Sequence, residues 1–496
     1  MFVNSYSQLS FVVVEATISD LQNALASGQV TSRELVETYL QRIESYDQQG
    51  PKLKSILAIN PKAIEEAKVL DEERETKGVR SPLHGIPIVL KDNFDTYDMP
   101  TTGGSRALAG SIPLNDAFLT KKLREAGAVI LAKANLHEFA RAGTTVSSLG
   151  GQTLNPYDLT RTPGGSSGGT GAAIAANLAT AGTGTDTVNS VRSPASANNL
   201  VGFRPTLGLL SRSGIIPAAL TQDMAGPITR TVADAAIMLE AMVGYDPQDG
   251  ATAWSIGQVP RTYMDSLKKE GLKGKRLGLL KTIFGKDPEV LAVLEKAIAD
   301  LKAQGAAIVE IDVPDLDTGK IFEECDVQLY ESKSQINAYL SKLGPNASIK
   351  TVADLIESGM LDPTILKGLK ATELLDNALD RPEYKQRLLN GVKVRDTVIR
   401  TMADYQLDAI VYPHQQVLVV KVGEDQIGRN GILASIAGFP AVTVPAGFST
   451  PTKEAPLGVP VGIEFMGRPW TESLLFEIAY AYEQGTHHRR PPKSTP

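Results

Sequence analysis

Short apolar runs alternate with segments of helical period along most of this chain, and this alternation restricts its fold more than any other feature. Ile86 to Leu90 is apolar without a helical period, Asp116 to Ala126 repeats with the period of a helix, and Ala128 to Ala132 is apolar again. The same alternation predicts helices at 168–178, 232–244 and 289–304 and strands at 179–184, 275–281 and 306–312. Such units build a sheet with helices on both faces. The predicted fold class is α/β, with a mixed central β-sheet.

The two ends of the chain and one inner segment complete this prediction. Residues 1–75 are expected to be largely helical, with a helix start at Thr31-Ser32 and an apolar stripe of Leu35, Tyr39 and Ile43. The remaining predicted elements are a helix-rich cover at 321–405, strands at 409–412, 441–444 and 459–465, and a closing helix at 472–483. A length of 496 residues suggests two or three domains, but no Pro/Gly/Ser linker separates the ends. We therefore expect a single domain, 1–496.

Composition and charge exclude several classes of protein. The formal net charge is −6 and there is no dense Lys/Arg run, so nucleic-acid binding is not expected. The single cysteine, Cys325, excludes a disulfide framework and a zinc site built from cysteines, and it favours the cytoplasm. No apolar stretch reaches the roughly 20 residues that span a bilayer, so no integral membrane segment is expected. The glycosylation pattern Asn346-Ala347-Ser348 is interpreted as a chance match.

The most unusual stretch, Gly150 to Arg192, contains two clusters of small and hydroxyl residues. The first, Gly164 to Gly171, precedes an Ala-rich helix at Ala172 to Ala176, and its glycines would let backbone N–H groups approach a ligand closely. A flexible loop is the alternative, although a linker is not normally followed by a helix and then by a second hydroxyl cluster, Gly184 to Arg192. Neither nucleotide-binding glycine pattern is present. The stretch therefore indicates a ligand-binding turn.

Gly164 to Gly168 also matches the Gly-x-Ser-x-Gly pattern of a nucleophile elbow, which would require a Ser-His-Asp triad. That elbow needs a strand directly before the serine, whereas Asn155 to Pro163 is rich in turn formers. Among the five histidines only His414, near Asp408, follows a strand-like run, and a histidine there more often has a structural role. This context argues against the elbow.

A lysine is the other base that serine chemistry uses, provided that burial lowers its pKa from about 10.4 toward neutrality. Lys91 follows the apolar run Ile86 to Leu90, so a buried strand would deliver its ammonium group to the end of the sheet. Lys133 ends a second strand-like run and is a comparable candidate. These residues by themselves leave the choice between the two lysines open.

Several motifs together resemble the amidase-signature family in their order and spacing. They are Lys91-Asp92-Asn93, Thr101 to Ser105, Ala126 to Asn135, Gly164 to Thr170, Gly184 to Pro194, Val201 to Thr206 and Gly226-Pro227. With the final helix, the resemblance covers essentially the whole chain. Tyr39 to Ile43, Pro82 to Pro87 and Ala479 to Gln484 look like the bacterial peptide-amidase branch, whose members release ammonia from a C-terminal peptide carboxamide.

The resemblance implies acyl transfer in which Ser190 is the nucleophile, Ser166 relays the proton and Lys91 is the base, with a cis peptide bond before Ser166. It also implies an oxyanion hole formed by the backbone N–H groups of Thr187, Val188, Asn189 and Ser190. Ala140 is the implied substrate contact, and Ser167, Asp186 and Arg192 are the implied supporting residues. It implies no metal and no organic cofactor.

One departure from the family pattern concerns Val188-Asn189, where the family more often has glycine, or an acidic residue and glycine. If the oxyanion loop needs a left-handed residue, we expect Asn189 to supply it, because β-branched Val188 tolerates positive φ poorly. The added bulk is expected to affect substrate range and rate more than mechanism.

Three alternatives to a free-standing peptide amidase stay open. The first is the glutaminase-type subunit of a tRNA-dependent amidotransferase, which works within a complex. The second is a fatty-acid or aryl acyl amide hydrolase, and the third is an inactive binding scaffold, for which Val188 is the only hint. We expect a small-molecule or peptide amide substrate, and a monomer or homodimer.

Overall fold

The computed structural model describes residues 11–344 and 347–496, so Asn346 of the glycosylation pattern lies outside the described residues. The strands are β1 (Ile56–Ile59), β2 (Pro87–Lys91), β3 (Val129–Ala134), β4 (Val146–Ser147), β5 (Gly151–Gln152), β6 (Ala181–Asp186), β7 (Val201–Arg204), β8 (Met224–Thr229), β9 (Arg276–Leu280), β10 (Ala307–Ile311), β11 (Ala409–Pro413), β12 (Ala441–Phe448) and β13 (Pro460–Met466). The α-helices are α1 (Ile18–Ala26), α2 (Ser32–Arg42), α3 (Ala63–Lys77), α4 (Phe118–Glu125), α5 (Gly168–Ala175), α6 (Arg192–Ala197), α7 (Val232–Met242), α8 (Pro288–Ala303), α9 (Thr318–Cys325), α10 (Gln328–Leu340), α11 (Val352–Glu357), α12 (Pro363–Glu373), α13 (Pro382–Asp404), α14 (Ile432–Ala437) and α15 (Glu472–Thr486).

A mixed sheet of 11 strands runs through the molecule in the order β1-β3-β2-β6-β8-β7-β12-β13-β11-β9-β10. Strand β2 pairs in parallel with β3 and β6, and β9 pairs in parallel with β10 and β11. The remaining pairs in this sheet are antiparallel. Strands from both ends of the chain therefore share one sheet flanked by helices, and the predicted α/β class is confirmed.

The predicted strands and helices agree with the structure except at their ends. The pattern missed five strands, β1, β4, β5, β7 and β8, and the two short helices α6 and α14. Strands β4 and β5 have two residues each and form a separate two-stranded sheet. Strands β1 and β7 have only four residues each, too few to establish a period. Strand β8 contains Gly226 and Pro227, both of which are depleted in strands. Short length and unfavourable residues hid β1, β7 and β8, which are held in the sheet by their neighbours.

Helix α2 begins where the sequence predicts. The Thr31 side chain accepts a hydrogen bond from the Glu34 N–H (3.1 Å), and the Glu34 carboxylate accepts one from the Thr31 N–H (2.8 Å), which forms a capping box. The stripe of Leu35, Tyr39 and Ile43 is fully buried. The apolar face of this helix therefore packs into the core, as its 3.6-residue period requires.

Helices α9 to α13 form the predicted helix-rich segment and pack against the body of the protein. In α10, the Ser332 hydroxyl donates to the Ala218 carbonyl (2.6 Å) and the Tyr339 hydroxyl donates to the Asp95 carboxylate (2.6 Å). This segment therefore closes over the loop that contains Ala218. Among the described residues, none of the helices has the length and apolar character needed to cross a membrane.

Candidate active site

Lys91 is the last residue of β2 and is completely buried in the interior of the sheet. Its Nζ donates to Ser166 Oγ at 2.7 Å and to Thr185 Oγ1 at 2.7 Å. Thr185 lies on β6, the parallel neighbour of β2, and its side chain therefore reaches the same end of the sheet. Two hydroxyl groups, and no carboxylate, hold the amine of Lys91.

Burial lowers the pKa of Lys91 from 10.5 to about 7, although the more distant carboxylates of Asp186 and Asp223 act in the opposite direction. The shift has a clear physical cause, because a buried ammonium group loses its hydration and gains no ion pair in return. Lys91 can therefore exist as a neutral amine near neutral pH. A neutral amine beside a serine hydroxyl can act as a general base.

Ser166 is buried on the turn before α5, and the Gly165–Ser166 peptide bond is cis. The His137 N–H donates to the Ser166 carbonyl (2.9 Å). The Thr145 hydroxyl donates to the Gly164 carbonyl (2.7 Å) and accepts from the Gly168 N–H (3.1 Å). The turn is therefore held on both sides of Ser166, and its hydroxyl stays directed at Lys91.

Ser190 lies in the turn between β6 and α6, and 7% of its surface is exposed. The Ser167 N–H donates to the Ser190 carbonyl (3.3 Å), and the Ser167 hydroxyl contacts the Thr185 backbone at 3.3 Å. These bonds join the turn of Ser190 to the turn of Ser166 and to the strand beside the one that holds Lys91. The structure thus brings the three residues of the predicted triad into one site.

The backbone of the Thr187–Ser190 turn has an unusual hydrogen-bond pattern. All four carbonyls accept hydrogen bonds. The Thr187 carbonyl accepts from Gln222, and the Val188 carbonyl accepts from Arg192 and Ser435. The Asn189 carbonyl accepts from the Ser193 N–H, and the Ser190 carbonyl accepts from the Ser167 N–H. By contrast, none of the four N–H groups has an acceptor within residues 11–344 and 347–496. Buried N–H groups are normally paired. Four adjacent free donors can bind a ligand oxygen.

A buried charge network supports this turn from behind. The Asp186 carboxylate pairs with Arg192 (2.9 Å) and Arg204 (3.1 Å), and Arg192 pairs with Glu464 (2.5 Å). Burial raises the pKa of Asp186, but the two guanidinium charges outweigh it and hold this pKa well below its usual range. Arg192 also donates to the Val188 carbonyl (3.1 Å). The network therefore fixes the backbone of the turn.

Replacing Asp186 by asparagine should destabilise the protein by about 3–5 kcal/mol, because two buried guanidinium groups would lose their shared counter-charge. Urea unfolding of the two proteins measures the loss. The matched control is Glu37→Gln, which removes the surface pair with Arg33 and should cost at most about 0.5 kcal/mol. Equal effects of the two substitutions would contradict a structural role for the network.

Val188 and Asn189, the departure from the family pattern, are both buried. The Val188 side chain packs in a buried cluster with Leu280, Ile432 and Leu433. Neither Val188 nor Asn189 has a positive φ, so this turn requires no left-handed residue there. The Asn189 amide is buried, and none of the described residues hydrogen-bonds to its side chain.

Ala140 lies in a tight turn after β3, where it and Phe139 both adopt left-handed φ angles, of 58° and 51°. It lines a small pocket. Thr185, Thr187, Ile216, Ala218 and Asp223 also line this pocket. The pocket therefore joins Thr185, which holds the Lys91 amine, to the loop that contains Ala218.

The two other candidate bases have different surroundings. Lys133 pairs with Asp92 (3.2 Å) and donates to the Thr101 hydroxyl (2.9 Å), so its charge is compensated. His414 bonds to Glu464 through Nδ1 (2.5 Å), while Asp408 instead accepts from the Arg276 N–H. Lys133 and His414 thus belong to structural networks.

Sequence reasoning missed two residues that shape this site. Thr185 holds the Lys91 amine; its position two residues after Thr183 on β6 was the available signal, because alternate residues of a strand share a face. Asp223 accepts from the Thr187 hydroxyl (2.6 Å) and from the N–H groups of Ala218 and Ala219, and burial raises its pKa. Its contact with Thr187 joins residues 36 positions apart, and no local pattern predicted it.

This chain is similar to known proteins over nearly its whole length. The model of the amidase family matches residues 34–476. A probable amidase of Arabidopsis thaliana is 37% identical over 99% of this chain and 95% of its own length, and a glutamyl-tRNA(Gln) amidotransferase subunit of Microcystis aeruginosa is 36% identical over 97% and 99%. The crystal structure of native peptide amidase from Stenotrophomonas maltophilia superposes with a TM-score of 0.89 at 38% identity, covering 97% of this chain and 99% of that one. The chain belongs to the amidase family and is an amide hydrolase.

Proposed function

We propose that the protein hydrolyses a carboxamide through a covalent seryl intermediate, with Ser190 as nucleophile, Ser166 as proton relay and Lys91 as base. The observation that carries this proposal is the 2.7 Å contact between the buried Lys91 amine and the Ser166 hydroxyl. A lysine buried without a carboxylate partner is costly, and such arrangements are typical of catalytic bases. The free N–H groups of Thr187 to Ser190 support the same interpretation.

In the first step, Ser190 Oγ attacks the amide carbon and its proton passes through Ser166 Oγ to Lys91 Nζ. The carbonyl oxygen becomes an oxyanion, which the N–H groups of the 187–190 turn stabilise, each donor contributing about 3 kcal/mol. The relay then returns the proton to the amide nitrogen, the C–N bond breaks and the amine leaves. Water repeats the path on the acyl-enzyme and releases the acid.

The pH dependence of kcat/KM should follow the ionisation of Lys91. Because only the neutral amine can accept a proton, activity should rise with pH and level off above the pKa of about 7. Initial rates between about pH 5 and pH 9 would measure this limb. A profile without an inflection between about pH 5 and pH 9 would contradict a catalytic base with this pKa.

Peptides with a C-terminal carboxamide are the proposed substrates. The support comes from the similarity to the peptide amidase of Stenotrophomonas maltophilia, which extends over 97% of this chain. The test is ammonia release from N-acetyl dipeptide amides, beside an aryl amide and a long-chain acyl amide. Hydrolysis of the peptide amides supports the proposal, whereas activity on only the aryl or long-chain amide would replace it.

A glutaminase subunit of an amidotransferase is the second candidate, because the Microcystis aeruginosa relative is an amidotransferase subunit and spans nearly all of this chain. Free glutamine distinguishes the two functions when it is added to the isolated protein as the amide substrate. A peptide amidase should hydrolyse dipeptide amides without any partner. Activity on glutamine alone, increased by a partner protein, would favour the amidotransferase function.

A further inference from the structure

Two arginine side chains near the site have no partner for their charge. Arg141 directly follows Ala140, a pocket residue, in the chain and is half-buried. Its Nε and Nη2 are buried without a hydrogen-bond partner in the described part of the chain. Arg429 is half-buried too. Within residues 11–344 and 347–496, neither guanidinium group has a carboxylate within 4.0 Å or a hydrogen-bond acceptor. Both remain partly open to solvent, so a ligand can reach them.

Arg429 lies close to the turn that carries Ser166. A Cβ atom added to Gly143 would lie 2.9 Å from Nη1 of Arg429. A Cβ atom added to Gly165 would lie 2.8 Å from the carbonyl carbon of Gly143. The Gly143 backbone therefore separates Arg429 from the Gly165–Ser166 peptide by a single layer of atoms. Burial lowers the pKa of His137 to about 4, and the positive charges of Arg429 and Lys91 contribute to this shift.

Other buried arginines in this protein have acceptors for part of their guanidinium group. Arg230, for example, donates to the carbonyls of Ala16 (2.6 Å) and Ala179 (2.9 Å), although its Nε has no partner among the described residues, and Arg489 pairs with Glu15 (2.7 Å). A buried donor without an acceptor is destabilising. Arg141 differs because its whole guanidinium group lacks an acceptor in the described part of the chain, so it is available to a ligand.

The acidic side chains that attract the two arginines form no ion pair with them; Asp326 and Asp223 are engaged elsewhere, and Asp425, which attracts Arg429, is exposed. Asp326 attracts both guanidinium groups from a distance, but its Oδ1 accepts from the side chains of Gln222 (3.2 Å) and Gln328 (2.9 Å). Asp223 also attracts Arg141, and its carboxylate is bonded to Thr187 and to two backbone N–H groups. The donors of both arginines are therefore available to an anionic group of a bound molecule.

We propose that Arg141 and Arg429 bind a carboxylate on the acyl part of the substrate, so that the enzyme prefers amides with an acidic side chain next to the reacting carboxamide. This inference rests on the proposed function, because ammonia as the leaving group leaves only the acyl part to carry the anion. A guanidinium fork binds a carboxylate through two parallel charge-assisted hydrogen bonds. In a half-buried site such bonds are stronger than on an open surface.

The test compares N-acetyl-Ala-Glu-amide with N-acetyl-Ala-Met-amide, which have side chains of similar length and differ in charge. We expect wild-type kcat/KM to be about 10–100-fold higher for the Glu amide. Arg141→Met and Arg429→Met should each reduce this preference to within about threefold of unity, mainly by raising KM for the Glu amide, because the carboxylate is bound before and during the reaction. Arg106→Met, at an exposed arginine, is the matched control and should keep the preference.

Two further measurements separate this inference from the proposed function. Arg141→Glu should transfer the preference to N-acetyl-Ala-Lys-amide. Calorimetry with the Ser190→Ala variant measures Kd for each amide without turnover, and tighter binding of the Glu amide supports the inference even if peptide amides are not hydrolysed. The inference would be overturned if wild type had equal kcat/KM and equal Kd for the Glu and Met amides. It would also be overturned if Arg141→Met lowered kcat/KM equally for both amides.

Discussion

Ser190→Ala should abolish amide hydrolysis, lowering kcat by about 10⁴–10⁶-fold, because no acyl-enzyme can form without the hydroxyl. The fold should be unaffected, since the carbonyl of residue 190 still accepts from the Ser167 N–H and the Asp186–Arg192 network is unchanged. The measurement is ammonia release from the best dipeptide amide, together with the unfolding midpoint of each protein.

Ser193→Ala is the matched control for this variant. Ser193 lies one turn further along, in α6, and its hydroxyl accepts only a long hydrogen bond from Gln415 (3.4 Å). It makes no contact with Lys91 or Ser166 and should keep activity within about threefold of wild type. Comparable activity of the Ser190→Ala variant and wild type would require another nucleophile.

Lys91→Met should lower kcat/KM by about 10²–10⁴-fold, the contribution typical of a general base. Methionine fills a volume similar to that of the lysine chain but cannot accept a proton. The amide panel at about pH 8 measures the loss. Lys133→Met is the comparison at a second buried lysine, and it should act mainly on stability, because it leaves the Asp92 carboxylate without its ion pair.

The Lys91→Met variant also tests the charge of the buried amine. Because the pKa of Lys91 is lowered from 10.5 to about 7, the folded protein binds fewer protons than the unfolded chain between these pH values. The cost of burying the ammonium group is therefore complete below about pH 7 and disappears as the pH rises toward 10.5. The unfolding midpoint of the Lys91→Met variant, relative to that of wild type, should therefore be higher at about pH 6.5 than at about pH 9.5. A difference independent of pH would show that the pKa of Lys91 is the same in the folded protein as in the unfolded chain.

Local patterns predicted the elements of the fold because each carries its own signal. The capping residues Thr31 and Glu34 start α2, and the fully apolar run before Lys91 becomes a strand buried on both faces. Strand β8 lacked that signal, since Gly226 and Pro227 are poor strand formers that only pairing with β6 and β7 holds in the sheet. Whether residues 1–496 form a single domain stays a prediction.

The sequence by itself determined which residues could react: it supplied Ser166, Ser190 and two lysines at strand ends, and its resemblance to a family selected Lys91 from the pair. Only the tertiary structure decided their surroundings. The contacts of Lys91 with Ser166 and Thr185 join residues 75 and 94 positions apart, and the unpaired donors of Arg141 depend on side chains from distant loops. Burial, free hydrogen-bond donors and a shifted pKa are properties of such long-range packing, so no local pattern of residues encodes them.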